Sequence, residues 1–158
     1  MPLDLYVRRG FAASVVLLCL LFAAIGAQAQ SATALGKDQI IQPEDLVKTL
    51  QSSGPQPLIL NIGPRVLYMQ AHIRGAEFVG PASEAEGIEA LKQRVKGLPK
   101  TKSIVLYCGC CPWVHCPNVE PAYRQLHAMG FTRVKVLFIQ NNIGADWVYK
   151  GYPTERGR

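Results

Sequence analysis

The sequence has no tract in which basic residues are concentrated, although Lys and Arg outnumber Asp and Glu by 17 to 11. A protein that binds nucleic acid usually gathers its positive charge on one face or in one segment. Here the net charge of +6 is spread along the chain, so we expect no nucleic-acid partner. The excess is consistent with a soluble protein that attracts small anions.

Long apolar runs are lacking after the first thirty residues. Within that segment, Arg8 and Arg9 precede an apolar run from Phe11 to Ile25, and Ala27-Gln28-Ala29 follows. This order is typical of an export signal, with small residues at the peptidase cleavage site. A retained membrane anchor is the less favoured interpretation, because the apolar run is short for a bilayer.

The chain is long enough for one domain with one core. We predict a signal peptide at residues 1–29, a flexible mature N-terminus at 30–37, one domain at 38–153 and a C-terminal tail at 154–158. The mature protein is expected to be periplasmic or secreted, and free of the membrane after the signal is cleaved. Such compartments are oxidising, and neighbouring thiols there tend to form disulfides.

Short apolar runs alternate with segments of helical spacing along the predicted domain. Three runs are too short for buried helices and indicate buried strands, at residues 57–62, 104–107 and 134–139. Helical patterns follow Pro43 and occupy residues 83–97 and 118–130. This alternation predicts an α/β fold in which helices cover both faces of a central, mostly parallel sheet of about five strands.

Apart from Cys19 in the predicted signal, every cysteine lies in the segment CGCCPWVHC. The four are Cys108, Cys110, Cys111 and Cys116. Ligands of parallel α/β sheets bind at the carboxyl ends of the strands, which is where this segment begins. Cys108 directly follows the strand that ends at Tyr107, and loop N–H groups and the dipole of the helix after Asn118 favour its thiolate. We therefore predict that Cys108 is a nucleophile.

Three segments of the domain carry a family resemblance: LILNIGPRVLYMQAHIRGA, IVLYC with the helix that ends in HAMGF, and DWVYKGYP. In this order, and with the interval from Asn61 to His72, the chain resembles a single-domain rhodanese, which is a sulfurtransferase. The resemblance implies a rhodanese-like fold and a thiosulfate sulfurtransferase-like activity. Cys108 would take sulfane sulfur from a small sulfur-containing anion or a protein persulfide, carry it as a persulfide, and pass it to an acceptor such as a thiol.

Two differences from the family's pattern concern anion binding. The family's turn usually reads Asp-x-Arg, whereas this chain has Asn61-Ile62-Gly63 and the nearest following arginine is Arg65. The cysteine loop is also longer, and it offers a tryptophan and a histidine where the family commonly has an arginine. We expect Arg65 to be a further contact for the substrate anion. The loop residues expected to hold the anion or persulfide are Gly109, Cys110, Cys111, Trp113 and His115.

The remaining loop cysteines admit other roles. Cys116 can form a disulfide with Cys110 or Cys111, either to stabilise the loop or to exchange electrons with a partner. Thiolates together with His115 also suit zinc or copper, although sulfur transfer itself requires no cofactor. In that alternative the rhodanese scaffold is kept as a metal-binding module without transferase activity.

We predict that the exported protein begins near Gln30 and is recovered in soluble form outside the cytoplasm. The basic, apolar and Ala-x-Ala order of the first residues is the basis for this expectation. N-terminal sequencing of the exported protein tests it, and a membrane-bound product that still begins at Met1 would contradict it.

Overall fold

The structure is a computed structural model that describes residues 35–157. The predicted signal peptide and most of the predicted mature N-terminus, up to residue 34, lie outside the described residues. No helix between residues 35 and 157 combines the length and the hydropathy that a membrane-spanning segment requires.

The described residues form seven strands and four α-helices. The strands are β1 (Ile40–Ile41), β2 (Leu58–Asn61), β3 (His72–Ile73), β4 (Glu77–Phe78), β5 (Ile104–Tyr107), β6 (Val134–Leu137) and β7 (Thr154–Glu155). The helices are α1 (Pro43–Gln51), α2 (Arg65–Gln70), α3 (Ala85–Val95) and α4 (Val119–Ala128). Shorter helical turns lie at Lys37–Gln39, Trp113–His115 and Gly144–Val148.

Five of the strands form one sheet in the order β1-β6-β5-β2-β4, and every neighbouring pair is parallel. The central strands β2 and β5 are buried at all four positions, as their unbroken apolar sequences predict. The α/β class and the predicted five-stranded sheet are therefore confirmed. The register places Asn61 opposite Tyr107, so that β2 and β5 end at the same edge.

Two apolar layers cover the two faces of the sheet, because successive strand residues point to opposite sides. One layer packs strand residues against α3 and α4, and it includes Leu60, Leu91, Leu106 and Leu126. The other packs strand residues against α1 and the turn at Gly144–Val148, and it includes Leu46, Ile59, Val105 and Trp147. The predicted helices on both faces are thus present.

The small antiparallel sheet of β3 and β7 has no counterpart in the sequence pattern. His72 pairs with Glu155, which lies beyond the expected domain boundary at residue 153. The His72 ring is buried, stacks on Tyr68 at 3.9 Å between centroids, and contacts the Tyr68 carbonyl through Nδ1. The Nε1–H of Trp147 donates to the carbonyl of Pro153 at 3.0 Å. These contacts hold the last described residues against the domain.

Candidate functional site

The cysteine loop begins at the carboxyl edge of the sheet, where β2 and β5 end together. Cys108 directly follows β5, and only 5% of its surface is exposed. The Nδ2 amide of Asn61, the last residue of β2, donates to the Cys108 carbonyl at 3.3 Å. The Oδ1 of Asn61 accepts from the N–H of Gly63 at 3.2 Å. Asn61 therefore joins the ends of the two central strands.

Gly63 is packed so closely against the loop that no side chain fits there without movement. A Cβ atom on Gly63 would lie 2.7 Å from the Cys108 carbonyl oxygen and 3.1 Å from its Sγ. Real Cβ atoms essentially never approach backbone atoms to 2.7 Å. The family's Asp-x-Arg turn has an arginine at this position. The glycine found here provides the space that Cys108 occupies.

Three sulfur atoms form a cluster at the start of the loop. The Sγ atoms of Cys108 and Cys110 are 3.1 Å apart, and those of Cys110 and Cys111 are 3.0 Å apart. All three lie within 4.8 Å of one another. The four cysteines in the described part of the chain are free thiols, and Cys110 and Cys111 are more exposed than Cys108.

Gly109 allows the turn between the first two of these cysteines. Its φ of +76° is in the region that favours glycine, and its carbonyl accepts from the N–H of Ile143 at 3.0 Å. A Cβ atom there would lie 2.8 Å from the Cβ of Ile143. The loop is thus held against the segment that follows β6.

The buried side-chain amide of Asn118 contacts the Cys108 sulfur. The Nδ2 of Asn118 donates to Cys108 Sγ at 3.2 Å, and its Oδ1 accepts from the N–H of Ser83 at 2.9 Å. Asn118 is the residue before α4, as the sequence pattern predicts, but its side chain makes no capping hydrogen bond to the helix. The Asn118 side chain therefore contacts the Cys108 sulfur and does not cap the helix.

The surroundings keep three of the four thiols protonated at neutral pH. Burial raises the pKa of Cys110 to about 11, and the hydrogen bond with Cys111 adds to this effect. Burial also raises the pKa of Cys111. The pKa of Cys116 is raised by its hydrogen bond to Cys108 and by burial. Cys108 is the one of the four whose sulfur accepts a hydrogen bond from the Asn118 amide.

The other predicted site residues are not part of this cluster. The Trp113 ring packs on the Phe138 ring at 5.2 Å between centroids. The backbone N–H of Trp113 donates to the Gln140 carbonyl at 3.2 Å. Trp113 thus anchors the loop to the chain after β6. His115 is exposed, and it is not part of the three-sulfur cluster. Arg65 is also exposed, with its guanidinium carbon 5.3 Å from the centroid of the Phe78 ring.

The contact between Asn118 and Cys108 was not anticipated, because the residue type before a helix indicates a cap and not a direction for the side chain. The cluster itself has a local signal in the sequence. Cys108 and Cys111 have Cys-x-x-Cys spacing, which brings thiols close together in a turn. That spacing indicates that the predicted nucleophile, Cys108, forms a reactive or metal-binding pair with Cys111.

Comparison with known proteins identifies the family of the domain. The family model of the rhodanese-like domain matches residues 42–138. No curated protein matches the chain.

Several solved structures share the fold. A rhodanese-like domain from an Anabaena sp. protein, solved by NMR, is 25% identical, with 75% of this chain and 79% of that chain covered and a TM-score of 0.55. A crystal structure of the same Anabaena protein is 23% identical, with 74% and 92% covered and a TM-score of 0.57. A Bacillus halodurans protein is 21% identical, with 75% and 77% covered and a TM-score of 0.58.

We predict that Asn118→Asp slows alkylation of Cys108 by iodoacetamide. The substitution keeps the Oδ1 acceptor for Ser83, but it replaces the N–H donor to the sulfur with a carboxylate oxygen. A hydrogen bond to a charged group contributes about 1.5–3 kcal/mol, so the rate at Cys108 should fall roughly tenfold or more. Rates are measured at neutral pH by peptide mass spectrometry.

Gln125→Glu is the matched control, because it makes the same amide-to-carboxylate change further along α4. It should leave the rate at Cys108 close to that of the wild type. Equal rates in Asn118→Asp and Gln125→Glu would show that the amide does not activate the sulfur.

Proposed function

Since this chain belongs to the family of rhodanese-like domains, we propose that it is an exported sulfurtransferase that carries sulfane sulfur as a persulfide on Cys108. One observation carries the proposal. The Cys108 sulfur lies at the carboxyl edge of the sheet, accepts a hydrogen bond from the Asn118 amide at 3.2 Å, and lies 3.1 Å from the Cys110 sulfur. A thiolate in such a place can attack sulfur and can be regenerated as a leaving group.

Two displacements make up the proposed reaction. The Cys108 thiolate attacks the outer sulfur of a donor such as thiosulfate, the donor's S–S bond breaks, and sulfite leaves with the bonding electron pair. An acceptor nucleophile then attacks the outer sulfur of the Cys108 persulfide. The bond to Cys108 breaks, and its electron pair restores the thiolate. The Asn118 amide stabilises negative charge on the Cys108 sulfur before the first displacement and after the second.

The choice of donor depends on how its negative charge is held. Arg65 contacts the Phe78 ring, and the loop from Gly109 to Pro117 contains no arginine or lysine. A doubly charged donor therefore depends mainly on N–H groups, which are weaker partners than a bidentate guanidinium. We expect slow turnover with thiosulfate and propose a protein persulfide as an alternative donor.

We predict that Cys108→Ser reduces sulfur transfer to background. A hydroxyl is too weak a nucleophile at neutral pH to replace the thiolate. Cys116→Ser leaves the proposed nucleophile in place, and most of the transfer rate should remain. Thiocyanate formed from thiosulfate and cyanide is the measure of transfer, and thermal melts report folding. Turnover that survives in Cys108→Ser, or that disappears in a well-folded Cys116→Ser, would refute a single nucleophile at Cys108.

A second candidate function is the binding of a soft metal ion, and the three-sulfur cluster favours it. Cys110 lies 3.1 Å from Cys108 and 3.0 Å from Cys111, measured between sulfurs, so one cation could contact all three after small movements. Cys116, the fourth free thiol of the loop, lies outside the three-sulfur cluster. Thiolates suit copper(I) and zinc, and a bound cation would offset the burial that disfavours their charge. Cys108 would then be a ligand, so that metal binding and sulfur transfer compete.

We predict that the reduced wild-type protein takes one equivalent of copper(I) or zinc from a chromophoric chelator. Cys110→Ser should weaken binding by about tenfold or more, because it removes the central sulfur ligand. His115→Gln is the matched control and should retain the wild-type affinity, since His115 lies outside the cluster. A protein that takes no metal from a chelator of micromolar affinity would exclude this candidate. Equal weakening by His115→Gln would place the ion elsewhere in the loop.

A further inference from the structure

A groove of about 410 Å³ opens beside Cys110 and leads away from the buried nucleophile. Its lining includes Gln70, Gly109, Cys110, Ile143, Tyr149 and Arg156. Cys108, which is 5% exposed, does not line the groove, and neither does Cys111. A molecule in the groove therefore meets Cys110 and not Cys108.

The groove has one charged lining side chain and one unusually exposed aromatic ring. Arg156 is the only charged residue among those that line the groove in the described part of the chain. Tyr149 is 86% exposed, the highest value among the exposed large apolar residues from 35 to 157. A guanidinium beside a partly apolar wall suits a small organic anion.

We propose that Cys110 relays the sulfane sulfur from Cys108 to a small anionic thiol, which binds in this groove beside Arg156. The proposal rests on the proposed function of Cys108 as the persulfide carrier. It adds a second catalytic thiol and an acceptor site to that function.

The first step moves sulfur between two thiols whose Sγ atoms are 3.1 Å apart. The Cys110 sulfur attacks the outer sulfur of the Cys108 persulfide, and the S–S bond to Cys108 breaks. Its electron pair moves to Cys108 Sγ, which takes up the proton that Cys110 releases. The products are a Cys108 thiol and a Cys110 persulfide, so the exchange needs no oxidant or reductant.

The second step delivers the sulfur to the acceptor. The thiolate of the bound acceptor attacks the outer sulfur of the Cys110 persulfide, and the S–S bond to Cys110 breaks. The Cys110 sulfur leaves with the electron pair and takes up the persulfide proton. The acceptor leaves as a persulfide and Cys110 is again a thiol, and loss of the Cys108 proton to solvent restores the starting thiolate.

The relay is tested by separating loading from transfer. Wild-type, Cys110→Ser and Cys111→Ser proteins are loaded with thiosulfate and freed of excess donor. Intact-mass measurement counts the bound sulfur, and peptide mapping locates it. Transfer is then timed with 3-mercaptopropionate, which is anionic, and with 2-mercaptoethanol, which is neutral. We expect Cys110→Ser to gain one sulfur on Cys108 as the wild type does, but to transfer it to either thiol roughly tenfold or more slowly.

The acceptor site is tested by the charge of the thiol. Arg156→Gln should raise the KM for 3-mercaptopropionate about fivefold or more and leave that for 2-mercaptoethanol unchanged, since only the anion contacts the guanidinium. Arg133→Gln is the matched control, because Arg133 is exposed and does not line the groove. Equal effects of the two arginine substitutions on the anionic thiol would overturn the proposed acceptor site.

The outcomes distinguish failure of the relay from failure of the proposed function. A wild-type protein that gains no sulfur on either Cys108 or Cys110 would refute the proposed function and the relay together. If Cys108 is loaded but Cys110→Ser transfers sulfur at the wild-type rate, the relay is wrong and the proposed function stands. Slow transfer in Cys111→Ser but not in Cys110→Ser would also overturn the assignment of Cys110.

Discussion

The hydrogen bond from the Asn61 amide to the Cys108 carbonyl joins the ends of the two central strands, and the geometry of the site depends on it. The parallel register of β2 and β5 brings these residues to one edge, and the packing at Gly63 leaves no space for the loop backbone to shift toward β2. Because protein interiors are close-packed, such a constraint limits movement of the Cys108 backbone toward β2. The thiols that follow then share a small, partly buried volume.

That shared volume explains the unusual electrostatics of the loop. Several thiols compete for one region from which water is largely excluded, and no arginine or lysine of the loop itself compensates a thiolate there. Most of them therefore stay protonated, and a neutral amide supplies the donor to Cys108. The same crowding favours two processes that move protons off sulfur, namely exchange of a sulfane sulfur between neighbours and replacement of protons by a soft cation.

The end of the chain completes the surroundings of the loop. Pairing of β7 with β3 and the bond from Trp147 to the Pro153 carbonyl hold residues 153–155 against the domain. Arg156 follows directly and lines the groove beside Cys110. The cationic side chain of Arg156 is thus near the loop. It comes from a different part of the chain than the arginine that the family's turn usually supplies. Its position suits an acceptor at Cys110 better than a donor at the more buried Cys108.

The sheet and the position of the cysteine loop at its carboxyl edge follow from local sequence patterns. The apolar runs of β2 and β5 leave no alternative to a buried parallel sheet, and a residue that directly follows such a strand must lie at the binding edge. Pairings between distant segments decided the rest. Asn61 meets Cys108 across 47 residues and Asn118 meets Ser83 across 35, while two-residue strands such as β3 and β7 are too short to show periodicity. No local pattern specifies where a buried amide points or which arginine faces a groove, because those choices depend on side-chain packing between elements that meet only after the chain has folded.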